Sequence, residues 1–189
     1  MPQKFPVERA EELINPRAAA AYDPHQVIAG LPLRPFQNVA DIGCGPGYLT
    51  IPLAKYLYDG KVYAVDVQQG MLDILNERVQ QSRLSNVETV LSKENQIPLD
   101  DGAVDGVVLA HLMHEAESPN DLLNESKRVL ARGGWIAVLD WHRKETEAGP
   151  PLEERISASD AAKVLGENGL NVQAVRDIGD TRYLIIVRP

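Results

Sequence analysis

Apolar positions along the chain switch repeatedly between a helical period and short continuous runs. Near the N-terminus "PVERAEELI" sets Val7, Ala10, Leu13 and Ile14 at helical spacing, and "DPHQVIAGLPL" opens with Asp23 as N-cap and Pro24 at the first helical position. The run "QNVADIG" then reads as a buried strand and "YLTIPLAKYLYDG" as a helix ended by Gly60. "KVYAVDV" reads as a second strand, and "QGMLDILNERVQQSRL" as a helix with Met71, Ile74, Leu75 and Val79 on one face. Strands over "NVETVL" and "VDGVVLAH" follow. Next come a helix from "SPNDLLNESKRVLARGG", capped by Ser118 and stopped by Gly133, the strand "WIAVLDWH", a helix from "SASDAAKVLGENG", and the strands "NVQAVRDI" and "RYLIIVR".

Strands alternating with helices predict an α/β fold: a seven-stranded, mainly parallel sheet with right-handed crossovers and helices on both faces. The last two strands are joined by only "GDT", too short for a parallel crossover, so the C-terminal strand is expected to run antiparallel. Residues 1–35 are expected to form a helical cap and 36–189 the core of a single domain, a reading that 189 residues allow.

Composition narrows the partners. With 19 basic and 27 acidic residues the formal charge is −8, and no basic block stands out, which argues against nucleic acid. No apolar run reaches the length of a membrane span, and the first residues, "MPQKFPVERAEELIN", lack the apolar stretch of a signal peptide, so a cytoplasmic location is expected. The single cysteine, Cys44, cannot form a disulfide within its own chain and reads as a small residue in a tight turn.

The chemistry concentrates after the first strand. In "DIGCGPG", Gly43, Gly45 and Gly47 remove Cβ atoms where the chain must turn and approach a ligand, ahead of a helix expected to start near Tyr48. The order departs from the dinucleotide fingerprint G-x-G-x-x-G, because Tyr48 stands where the last small residue belongs. Asp41 in front of the turn repels a pyrophosphate and attracts an ammonium group. Asp66 at the end of the neighbouring strand suits the two hydroxyls of a ribose.

An amino-acid end near Asp41 and a ribose near Asp66 describe S-adenosylmethionine. From about Asn38 to Gly134 the chain resembles class I S-adenosylmethionine-dependent methyltransferases, in particular the group that includes the ubiquinone/menaquinone-type and other small-molecule enzymes. The resemblance implies a Rossmann-like core with Asp41, Gly43, Gly45 and Gly47 along the methionine portion, Asp66 on the ribose, and Val67 and Met71 flanking adenine. Lys93 stands where the family has an adenine-contacting Asp. Glu94 and Asn95 follow it, so the adenine amine is expected to meet Glu94 or the backbone. Ala110 and His111 are expected beside the cofactor at the end of the fourth strand.

Methyl transfer from a sulfonium needs alignment and exclusion of water more than a covalent residue. If a base assists, His111, His114 and His142 are placed for it by the ends of the fourth and fifth strands, and His111 is the choice; His114 and Glu115 then read as structural. A metal held by the same three histidines is the competing reading of the cluster, but the spacing matches no recognised ligand motif, and no metal is assigned. The expected function is methyl transfer to a small-molecule acceptor, entering between the N-terminal helices and the loop "RKETEAGPPLEERIS". A non-catalytic S-adenosylmethionine-binding module is the alternative, and the oligomeric state stays open.

Overall fold

The structure is a computed structural model that describes residues 4–15, 22–94 and 96–189. A 3-10 turn, Val7–Arg9, leads into α1 (Ala10–Ile14), and α2 (Pro24–Gly30) follows. The remaining elements in chain order are β1 (Asn38–Ile42), α3 (Thr50–Tyr56), β2 (Lys61–Asp66), α4 (Gln69–Gln81), β3 (Val87–Leu91), β4 (Val104–Ala110), α5 (Pro119–Val129), β5 (Leu130–Trp141), α6 (Ala158–Glu167), β6 (Asn171–Ile178) and β7 (Arg182–Arg188). Local chemistry sets several helix starts. The Asp23 carboxylate accepts the His25 N–H at 2.9 Å in front of Pro24, and Ser118 and Ser157 cap α5 and α6 through the N–H groups of Asp121 and Asp160.

The sheet runs β3-β2-β1-β4-β5-β7-β6, with β7 antiparallel to both its neighbours and all other pairs parallel. The chain leaves the sheet toward opposite edges after β1 and β4, so the crevice between these two strands is the switch point where such sheets take ligands. Two apolar layers cover the sheet. One gathers Ile42, Leu109, Leu123, Ile136, Leu165 and Tyr183 on the α5/α6 face, and the other gathers Val27, Leu53, Val62, Trp135, Leu139 and Leu184 on the α2/α3 face. Among the described residues no helix is long and apolar enough to cross a membrane.

Several boundaries differ from expectation. The helix expected to run to Gly133 stops at Val129, because Leu130 already pairs with Val104 and the strand begins there. Gly133 lies inside β5 with φ +80°. α3 ends at Tyr56, short of Gly60; that glycine is needed because a Cβ would run into the Gln37 carbonyl. α4 buries Met71, Leu72 and Leu75, while Ile74 and Val79 stay half-buried.

Gly106 in β4 tests the packing. A Cβ there would overlap the Trp135 ring on the adjoining strand, and that indole is 1% exposed. Gly106→Ala is expected to cost about 1–3 kcal/mol of stability in chemical denaturation, as overpacked cores do. Gly166→Ala in α6, where a methyl meets nothing within 4 Å, is expected to gain about 0.5–1 kcal/mol. Equal effects at the two sites would sink the packing argument.

Candidate active site

The glycine turn leaves β1 at Ile42 and is pinned by the neighbouring strand, since the N–H groups of Gly43 and Cys44 both donate to the Val65 carbonyl, at 2.8 and 3.1 Å. Gly43, Gly45 and Gly47 all adopt positive φ (+70°, +51° and +85°), a region in which L side chains are strained. Their surroundings differ. A Cβ on Gly45 would meet only Leu13 Cδ1 at 3.8 Å, whereas one on Gly43 would press on Leu112 and one on Gly47 would overlap Leu75 of α4. α3 begins at Thr50, a little later than expected, and has seven residues, so the loop residues Gly43–Pro46, Tyr48 and Leu49 border the cleft.

A cleft of about 900 Å³ opens at the switch point. Asp41, Gly43, Gly45, Asp66, Val67, Met71, Glu94, Ala110 and His111 line it, as expected from the sequence. Two expected residues do not. Gly47 lies beneath the turn, where its missing side chain lets α4 approach, and Lys93 pairs through its backbone with Gln96 on the surface. Asn95 lies outside the described residues.

The two acids are held differently. Asp66, 6% exposed, accepts the N–H groups of Gly45 and Gln68, each at 2.9 Å, so one carboxylate ties the glycine turn to the start of α4. Asp41 is 1% exposed and accepts the Thr50 hydroxyl at 2.6 Å. Burial pushes its pKa up to about 7 against the pull of that hydrogen bond, and the charge of Asp66 adds to the rise. Glu94 faces the cleft in an ion pair with Lys4 at 2.8 Å.

The other end of the cleft is aromatic. Tyr22, His111 and Trp141 stand edge to face or tilted, with ring centroids 5.5 and 5.7 Å apart in sequence, and the Arg182 guanidinium lies over the rings of Trp141 (3.8 Å) and Tyr22 (4.7 Å). Burial lowers the Arg182 pKa to about 10, still cationic at neutral pH. Behind the rings, Asp140 is fully buried; its Oδ1 accepts the Trp141 N–H and pairs with His114 Nδ1, both at 2.8 Å.

His111 sits at the end of β4 with φ +57°. A quarter of its side chain is exposed, yet both ring nitrogens are buried with no hydrogen-bond partner. Burial pulls its pKa down to about 3, so the ring is neutral and a weak proton acceptor near pH 7. The role of base expected for His111 therefore fits it poorly. His114, read from sequence as structural, borders the cleft with 4% of its side chain exposed and is held by Asp140. His142 does not join the cleft: its Nε2 pairs with Asp177 of β6 at 2.9 Å. Among the described residues no three His, Cys, Asp or Glu side chains gather as metal ligands.

Sequence reasoning missed Tyr22, Trp141, Arg182 and Arg155. Arg155, 5% exposed, organises the loop after β5. Its guanidinium donates to the carbonyls of Pro150, Lys144 and Ala148 and to the Thr146 hydroxyl at 2.7–3.2 Å, reaches the His142 carbonyl at 3.4 Å, and lies 4.9 Å from the Trp141 ring. Gly149, with φ +107°, brings that loop against Trp141, where a Cβ would come within 2.8 Å of the indole.

A glycine turn at the switch point, with one acid ending β1 and another ending β2, is the cofactor arrangement of class I S-adenosylmethionine-dependent methyltransferases. Comparison with known proteins agrees: the methyltransferase domain family matches residues 40–138, and the chain belongs to that family. A solved S-adenosylmethionine-dependent methyltransferase from Aquifex aeolicus shares 34% identity and superposes with a TM-score of 0.92, covering 97% of this chain and 98% of that one. A demethylmenaquinone methyltransferase of Symbiobacterium thermophilum is 33% identical over 117 residues, 61% of this chain and 47% of its own, so this chain spans about half of that relative. An uncharacterised methyltransferase of Mycobacterium tuberculosis is 30% identical over 92% of this chain and 75% of its own.

Proposed function

We propose that the protein transfers the methyl group of S-adenosylmethionine to a small-molecule acceptor by in-line displacement. The observation that carries this reading is a continuous cleft of about 900 Å³ among the described residues, acidic at the glycine turn and aromatic at the far end. That is room for the cofactor and a small partner. In this reading residues 36–189 form the transferase core, the segment from Lys4 to Asn15 borders the cleft, and α2 packs on the sheet face.

The residues present suit the cofactor. Asp66 keeps lone pairs for ribose hydroxyls while it holds the turn, Asp41 attracts the ammonium group, and Val67, Met71 and Ile97 offer an apolar slot for adenine with Glu94 beside it. Ala110 and His111 lie between this half and the aromatic end. When bound, S-adenosylmethionine supplies a methyl group on a cationic sulfur, so the chain's task is to align the acceptor and exclude water.

Thermal-shift and calorimetric titrations should show stabilisation by S-adenosylmethionine and S-adenosylhomocysteine and none by NAD. A labelled-methyl screen of small acceptors should then give turnover. Stabilisation by NAD instead sinks the cofactor assignment, and binding without transfer to any acceptor sinks the enzyme in favour of a binding module.

Asp41 predicts the pH dependence. A carboxyl whose pKa is raised on folding, from 3.8 to about 7, stabilises the fold fully below the lower value and loses that contribution as pH rises through about 7. Its ionised form is the one that attracts an ammonium group. S-adenosylhomocysteine affinity should therefore rise by up to about tenfold per pH unit toward neutrality and then level off, and Asp41→Asn should flatten the profile. A flat wild-type profile between about pH 5.5 and 8 excludes this role.

A further inference from the structure

We propose that His114, oriented by Asp140, is the proton acceptor for a phenolic methyl acceptor seated against the rings of Tyr22 and Trp141. This rests on the methyl-transfer reading above and names its substrate class. Three observations meet at one place. A carboxylate can only accept, so the 2.8 Å contact between Asp140 Oδ1 and His114 Nδ1 fixes the imidazole proton on Nδ1 and leaves the Nε2 lone pair free to take a proton. Asp140 itself is locked by the Trp141 N–H. The His114 ring lines the cleft, and its Nε2 lies 3.8 Å from Glu115 Oε1, beyond hydrogen-bonding distance.

The surroundings select the acceptor. Tyr22 and Trp141 line the cleft as an aromatic wall for a flat aromatic molecule, and Arg182, already stacked over both rings, is a cation placed to favour an oxygen that becomes negative. The neutral His111 between the two rings adds a third ring wall, and its Nδ1 is 4.0 Å from the same Asp140 oxygen. A carboxylate acceptor, already ionised, would use neither the base nor the ring wall in this combination.

The step balances without further reagents. The phenol O–H proton passes to His114 Nε2; the freed oxygen pair attacks the methyl carbon, and the carbon–sulfur bond breaks with its pair staying on sulfur. An aryl methyl ether, S-adenosylhomocysteine and an imidazolium result, and the imidazolium returns its proton to water. The groups facing His114 are Asp140 on β5, Glu115 beside it, Glu154 from the loop after β5, and His111 at the end of β4. Burial pulls the imidazole down, but the hydrogen bond and charge of Asp140, with Glu115 and Glu154, outweigh it and leave the pKa above the ordinary histidine value.

Two probes separate a base from a structural residue: phenol, protonated at a pH between their two pKa values, and 4-nitrophenol, ionised there without help. His114→Gln should lower kcat for phenol by about 100-fold or more and for 4-nitrophenol by only a few fold. Asp140→Asn should shift the pH–rate profile to lower pH. NMR titration of wild-type His114 should give a midpoint above the ordinary histidine value with the proton on Nδ1. Equal losses for the two phenols, a depressed midpoint, or a proton on Nε2 in the neutral ring each overturn the proposal. If neither phenol is methylated by protein that binds S-adenosylhomocysteine, the phenol assignment falls while the cofactor reading stands; loss of that binding in the wild type would fail the cofactor reading instead.

Discussion

Gly45→Val is expected to weaken S-adenosylhomocysteine binding by at least about 100-fold while the protein still folds, because the strain and the steric block act on the ligand's side of the turn. In the free protein a Cβ at this position meets only Leu13 Cδ1 at 3.8 Å, so there is space for a side chain until a ligand claims it. The backbone at φ +51° adds a cost of about 1–3 kcal/mol for a β-branched residue. Holding that conformation is also what lets the Gly45 N–H reach Asp66. Gly47→Ala is the informative contrast. Its Cβ overlaps Leu75 beneath the turn, so it should lower the melting temperature first and affinity second. Calorimetry and thermal unfolding on both variants check the pair, and a folded Gly45→Val protein with wild-type affinity would reduce the turn to a structural element.

The second large effect belongs to Asp66. Asp66→Ala should weaken S-adenosylhomocysteine by about 1.5–3 kcal/mol, or roughly 10–150-fold, as expected when hydrogen bonds to a charged acceptor are lost. Part of that loss comes through the protein, since the same carboxylate accepts from Gly45 and Gln68 and so joins the turn to α4. Asp66→Asn divides the two contributions: one amide oxygen still accepts, while the charge and one acceptor site are gone. Affinity unchanged within error in both variants would remove Asp66 from the site.

What was legible in the sequence follows from range. β-branched runs bounded by Gly, Asp and Pro located the seven strands, and Asp23-Pro24 and Ser118-Pro119 located helix starts, because strand preference and capping act over a few neighbouring residues. Gly133 misled for the opposite reason: pairing of Leu130 with Val104, a contact across 26 positions, starts the strand before the glycine is reached. Asp41, Gly45 and Asp66 were readable as cleft residues since they stand at or just after strand ends in order. The aromatic end was not. Tyr22 and Arg182, 160 positions apart, meet only because β7 returns antiparallel beside β5, and nothing near Arg182 in the chain marks it as a cleft residue. His114 likewise gains its partner Asp140 only through the fold, and His142 is drawn away by Asp177.

Arg155 bears on how an enzyme of this build changes its preferences. One guanidinium binds the backbone from His142 to Pro150, so that stretch is a mould set before an acceptor arrives, and an incoming molecule is spared the entropy of ordering a flap. Under the proposed methyl transfer to a small acceptor, selectivity then resides in the contour of the mould. New contours are reached most readily by exchanging residues 142–155 as one cassette together with the arginine that shapes it, whereas point changes in the loop leave its outline in place.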